Sequence, residues 1–154
     1  MIEDELSQNR TLDGRLGLGL AISVFGLVIF VLGLNPGLFS LDRSPVVGFV
    51  QIAVFLVGLA VICLGGYITS TTLWRGKEVT IAADIGYRTV ATGYVVAFAS
   101  GMADVFGFGS QPFPATPYFG QWQALGVMIG EIFIIIGFLL MIPYPIKKST
   151  HSPE

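Results

Sequence analysis

Charged side chains are scarce in this chain. Asp, Glu, Lys and Arg together make up 12% of its residues, about half of the ~25% found in soluble domains, so an ordinary water-facing surface is excluded. The formal net charge is -2, and no basic run exceeds the pair Lys147 and Lys148. Without clustered Lys and Arg to neutralise phosphates, no nucleic-acid partner is expected. One cysteine, Cys63, excludes an intramolecular disulfide and a thiol relay; lying inside an apolar run, it reads as a small buried residue. The single histidine, His151, falls in a polar tail with Ser149, Thr150 and Ser152. Zinc and haem thereby lose their usual ligands, and no imidazole base is available within the apolar segments. Asp84, Asp104 and Glu131 are too dispersed for a paired-carboxylate site, and no strand precedes a glycine-rich phosphate loop. No catalytic residue, metal site or cofactor is predicted, and the chain does not read as an enzyme.

Apolar residues fill the space that charge leaves. They make up 53% of the chain, and the mean hydropathy is +0.77. A hydrocarbon core of about 30 Å needs about 20 apolar residues in a helix. Four runs meet that length: 16–34, closed by Asn35, Pro36 and Gly37; 46–74, bounded by Pro45 and by the cluster Arg75, Gly76, Lys77, Glu78; 81–106; and 119–142, halted by Pro143 and Pro145. Residues 107–118, free of charge and containing Pro112, Pro114 and Pro117, read as an extended loop. The pattern predicts an all-α membrane protein, a four-transmembrane-helix bundle with short loops, flanked by segments 1–15 and 143–154. The acidic character of Glu3, Asp4, Glu5 and Asp13, with no small-residue cleavage pattern after the first run, argues for a retained helix rather than a signal peptide.

Four spans place both termini on one side. Arg10, Arg15, Arg75, Lys77, Lys147 and Lys148 fall on that side, against Arg43 alone on the other. The positive-inside rule then predicts cytoplasmic N and C termini in a multi-pass protein of the plasma (inner) membrane. Trp74 and Tyr144 mark the inner boundary on this reading, with Phe113, Tyr118, Phe119 and Trp122 at the outer one.

Glycine recurs along each span. Gly19, Gly26 and Gly33 repeat at seven-residue intervals in the first; the second carries Gly58 and Gly65; the third Gly86 and Gly93; the fourth Gly126, Gly130 and Gly137. Lipid offers no hydrophobic drive between helices, so close backbone approach through small residues is a main source of packing. A seven-residue spacing suits a left-handed crossing near +20°.

The remaining signal is polar groups inside the spans. A charge near the bilayer centre costs about 2.5–3.5 kcal/mol on insertion scales, so it usually faces protein or water and has a partner. Glu131 sits near the middle of the fourth run. Arg88 follows Asp84 by four residues, in the favourable acid-then-base order, and Asp84 lies where the helix dipole favours an acid. Arg88 can pair locally with Asp84 and snorkel to the headgroups, or turn inward to Glu131. Gln51 is expected to hydrogen-bond between helices, and Asp104 to close the third span as a structural residue or to line an outer vestibule. At 100° per residue Asp84 and Arg88 lie almost opposite Gly86 and Gly93. If the glycines face inward, these charges meet lipid or a second chain.

Partners beyond the lipid bilayer are therefore expected to be further copies or other membrane subunits. The expectation for function is a structural or accessory subunit of a membrane complex or homo-oligomer. Two alternatives stand beside it: a small oligomeric proton- or ion-coupled transporter using Glu131 and Arg88, and a lipid- or quinone-binding protein using Phe119 and Trp122. In outline, four helices and one membrane glutamate resemble the small multidrug-resistance transporters. Their signature acid lies in the first helix, where residues 16–34 contain none.

Overall fold

A computed structural model describes residues 2–35, 37, 48–76, 78–108 and 120–144, with side chains from Arg10 onward. The described residues form four helices and no strand: α1 (Ile2–Leu34), α2 (Phe49–Leu73), α3 (Ile81–Gly101) and α4 (Gln121–Met141). Three stretches, Arg10–Leu34, Phe49–Leu73 and Gln121–Met141, are long and apolar enough to cross a membrane, which marks the chain as a membrane protein. α3 is more polar than those three stretches, carrying Asp84, Arg88, Thr89 and Thr92 within 21 residues.

Helix boundaries depart from the apolar runs in instructive places. α1 starts at Ile2 rather than Leu16, because no proline occurs before residue 36 and nothing stronger than Gly14 and Gly17 interrupts the polar segment. At 1.5 Å per residue its 33 residues extend about 50 Å, well beyond a hydrocarbon core of about 30 Å. α3 begins at Ile81, where Thr80 Oγ1 accepts from the Ala83 amide at 3.3 Å, an N-cap. Regular α-helix ends at Gly101, five residues short of Phe106, yet the chain keeps winding. Phe108 N donates to Ala103 O (2.9 Å) and Gly107 N to Asp104 O (3.2 Å), with Gly107 at φ +78. This is a Schellman closure, and glycine supplies the left-handed residue it requires. The loop residues Pro36, Asp42, Arg43, Ser44, Pro45, Lys77, Phe113, Tyr118 and Phe119, and the tail with Lys147, Lys148 and His151, lie outside the described residues.

The helices pair as two antiparallel hairpins, α1 with α2 and α3 with α4, which meet through α2. Inside each hairpin, glycines stand against the partner's backbone. A Cβ on Gly26 would lie 2.6 Å from Ile62 N, one on Gly65 would meet Gly19 O at 2.7 Å, and Gly33 and Gly58 oppose Phe55 and Phe30. In the second hairpin Gly93 and Gly130 each face the other's carbonyl oxygen, at 2.6 and 2.5 Å from a built Cβ, and Gly86 and Gly137 repeat the arrangement at 2.7 and 2.8 Å. Reciprocal Cα–H to carbonyl contacts of this kind recur at close helix crossings. Gly126 faces Ser100. By contrast Gly14 and Gly17 have nothing within 4 Å.

The hairpins join through an apolar core and a few directed bonds. Leu59 and Cys63 of α2 pack with Val90 and Ala97 of α3 and with Ile134 and Met141 of α4, while Ile52, Phe55 and Leu56 pack with Val127. Tyr67 Oη donates to Tyr87 O at 2.7 Å, its ring stacked on that of Tyr87. At the far end Trp74 Nε1 donates to Met141 O at 3.0 Å, with Ser70 Oγ 3.5 Å from the same oxygen. That carbonyl is free because the residue that would fill it in a longer helix is Pro145, which has no N–H. Trp74 is therefore 7% exposed, a buried joint between the ends of α2 and α4.

Gly93→Leu should lower the unfolding temperature in detergent by several degrees, the cost of overpacking being about 1–3 kcal/mol, whereas Gly14→Ala should be neutral or stabilising by up to ~1 kcal/mol; equal effects would remove the close-approach account. Trp74→Phe keeps most of the ring but loses the bond to Met141 O, and should destabilise by about 1 kcal/mol, read by the same melt.

Candidate functional site

Arg88 and Asp84 form a local ion pair. Arg88 Nη2 is 3.1 Å from Asp84 Oδ2, and the two side chains are 79% and 57% exposed. Ala83, Gly86, Val90, Gly93 and Ala97 fill the buried face of the same helix, so the pair lies on its outer side. One turn on, Thr92 is exposed and returns its hydroxyl to Arg88 O at 2.9 Å. Asp84, Arg88 and Thr92, four residues apart, make a polar stripe on the outward face of α3.

Glu131 lies elsewhere. It is the middle residue of α4 (Gln121–Met141), about 15 Å of helix from either end, and is half-buried. It borders a cleft of about 360 Å³, open to one side, where Gly33 of α1, Gln51, Ile52 and Phe55 of α2, and Val127 of α4 also contribute. α3 contributes no residue to it. Arg88 and Glu131 are thus not brought together, whereas Gln51 and Glu131 share one apolar cleft. Neither the Gln51 amide nor the Glu131 carboxyl has a hydrogen bond or ion pair with another described residue; Gln51 does not make the interhelical bond expected of it.

A second cleft, of about 400 Å³, lies toward the opposite end of the same α1, α2 and α4 faces, bordered by Ser23, Gly66, Thr69, Ser70, Ile135 and Phe138. Its lining is almost wholly apolar in surface, and Thr69 Oγ1 is buried there without a partner.

Asp104 ends up inside the Schellman turn, its carbonyl accepting from Gly107 N, and its Oδ1 is buried without a partner. Gln123 is 8% exposed; its Oε1 accepts from Gly120 N at 2.8 Å, half of a capping box, while its Nε2 is buried and unpartnered. The α3–α4 register, with Gly93 on Gly130 and Ser100 on Gly126, carries Asp104 and Gln123 to the same end of the hairpin.

The sequence pattern does not single out Gln123, Tyr67 or Ser70, and it marks Trp74 only as a boundary residue. For Gln123 a signal was available, since a glutamine at the third helical position after Gly120 is a capping pattern. The bonds of Tyr67 and Trp74 depend on which helices are neighbours, which no local pattern encodes. Trp122 is 85% exposed and stands apart from both clefts' linings.

No protein-family model matches the chain, and comparison with curated proteins and with solved structures also yields no match, so the functional reading rests on the residues themselves.

Proposed function

We propose that this chain is a multi-pass integral membrane protein with α3 as its fourth span, both termini cytoplasmic, residing in the plasma (inner) membrane as a structural or accessory subunit of a larger assembly or homo-oligomer. The observation that carries this reading is the polar stripe Asp84, Arg88 and Thr92, exposed on the side of α3 away from α4. In hydrocarbon such a stripe is costly unless covered by protein or drawn to the headgroups. Asp84 and Arg88 lie in the first two turns of α3, within snorkelling reach, but Thr92 is a turn deeper, and a docked helix covers all three together. α3 has the length of a span, since 21 residues rise about 30 Å, and its burial against α4 matches a paired membrane hairpin.

The transporter alternative loses its proposed pair, because Arg88 is engaged by Asp84 while Glu131 faces a separate cleft. It survives only as a mechanism based on Glu131 alone.

Native mass spectrometry of the protein gently extracted from its own membrane tests the subunit reading. A complex with further subunits or copies is expected, and Thr92→Trp, which leaves the ion pair and the core untouched, should dissociate it by about tenfold or more, the effect of a buried clash of ~1.4 kcal/mol or greater. A monomer alone, or a complex indifferent to Thr92→Trp and to Arg88→Leu, sinks it. Orientation is read separately: cysteines placed at residues 8 and 152 should be labelled only from the cytoplasmic face, and one at residue 43 only from outside.

A further inference from the structure

We infer that the line between α1 and α4 is a lateral gate: α4 closes onto α1 to make the counterpart of the α2–α3 joint, and Glu131 is the residue that holds it open. This goes beyond the subunit reading and uses none of Asp84, Arg88 or Thr92.

The two hairpins are positional repeats of each other. Gly19, Gly26 and Gly33 of α1 recur in α3 as Gly86, Gly93 and Ser100, and Gln51, Gly58 and Gly65 of α2 recur in α4 as Gln123, Gly130 and Gly137, all at seven-residue intervals. In both hairpins the glycines close the inner seam. Carrying each pair of helices over at that constant offset gives every other residue a counterpart on the same flank, because equal spacing means equal rotation about the helix axis.

Each contact of the α2–α3 joint then has its counterpart across the α1–α4 line. A Cβ on Gly101 would lie 3.4 Å from a methyl of Leu56; the counterparts, Leu34 and Met128, border the first cleft. Tyr67 stacks on Tyr87 and bonds to its carbonyl; the counterparts, Leu139 and Leu20, border the second cleft. Cys63 and Tyr94 share one core cluster, whereas their counterparts, Ile135 and Leu27, are 59% and 51% exposed. The two clefts are thus parts of a single unmade joint, the one that the α2–α3 side has completed.

Chemistry accounts for the difference between the two sides. The tyrosine pair that fastens α2 to α3 is replaced by two leucines, which supply no directed bond. Leu59, buried in the core, is replaced by Glu131, which is half-buried at a cleft edge and has no hydrogen bond or ion pair with another described residue. Closure would carry that carboxyl into surroundings like those of Leu59, and burying an unpaired carboxyl is costly. Against this stands the packing that two facing aliphatic flanks gain on contact. The motion is a rotation of one hairpin on the other about the α2–α3 line, with the Tyr67–Tyr87 and Trp74–Met141 bonds as pivot and both glycine seams unchanged. Open, the gate gives the bilayer interior access to Glu131 at the midpoint of α4; shut, it seals that access.

Cysteine crosslinking of the full chain in nanodiscs tests the gate, with Leu27→Cys and Ile135→Cys introduced beside Cys63→Ala. Copper–phenanthroline forms a disulfide only when the Cβ atoms approach to about 4.5 Å, so it traps the shut state. A slow intrachain link is expected with Glu131 present. Glu131→Leu, which places there the residue α2 carries, should speed it at least about fivefold, the shift that ~1 kcal/mol gives. Phe25→Cys, on the opposite side of α1 by helical period, should not link to Ile135→Cys. Should Glu131→Leu fail to fold, Leu20→Tyr with Leu139→Tyr copies the α2–α3 fastener and should bring the same gain. Absence of any link, links between chains only, which would give the groove to a second copy, or a rate indifferent to the variant overturns the gate. Because the link is read within one chain, a purely monomeric protein that shows it would sink the subunit reading and leave the gate standing.

Discussion

Close backbone approach at glycine is the constraint on which the structure depends. Three of the helices are apolar on nearly every face, so burial in a bilayer cannot tell one face from another, and surface contact has to come from shape. Where Gly93 meets Gly130 and Gly26 meets Ile62, the absence of a Cβ lets two helices settle to distances that side chains would forbid. Dispersion and weak carbonyl contacts then act over the length of each hairpin. The same feature sets register, because only one alignment brings glycine opposite backbone at every turn. Everything else, including the clefts, is what remains once these two seams are closed.

The two hairpins are joined by a different sort of interaction. Between them α2 alone makes extensive contact, through aliphatic side chains and through Tyr67 and Trp74, whose polar atoms reach helix carbonyls. The consequence is an uneven molecule. Each hairpin is tightly made, and the line between α1 and α4 is left partly open, so that clefts form on that side. Glu131 belongs to the open line, while Asp84 and Arg88 belong to the opposite, exterior side of α3.

Much of this was legible in the sequence. Run lengths gave the helices, because a span's length is fixed by the thickness of the hydrocarbon, and the angular separation of Arg88 from Gly86 and Gly93 follows from helical period alone. The local Asp84–Arg88 pair was one of two readings of a four-residue spacing. What could not be read was anything set by neighbourhood. Gln51 looks like an interhelical hydrogen bonder on any helical wheel, yet it faces a cleft, because α1 and α4 do not close over it. Trp74 sits where interfacial tryptophans sit, and is buried because the end of α4 comes to it. The start of α1 differs from the start of the apolar run for another reason: hydropathy reports the edge of lipid, whereas a helix continues until its backbone is interrupted.

The bond between Trp74 and the Met141 carbonyl also bears on how the protein is made. Chains emerge N-terminus first and tend to fold unit by unit, and membrane helices insert before they associate. The α1–α2 hairpin is therefore complete, with Trp74 indole and Tyr67 hydroxyl unspent, while the acceptor for Trp74 lies at the last residue of α4 and does not yet exist. During that interval the exposed flank of α2 is the surface an insertion factor or a neighbouring nascent chain would encounter. Synthesis of the second hairpin is what withdraws it.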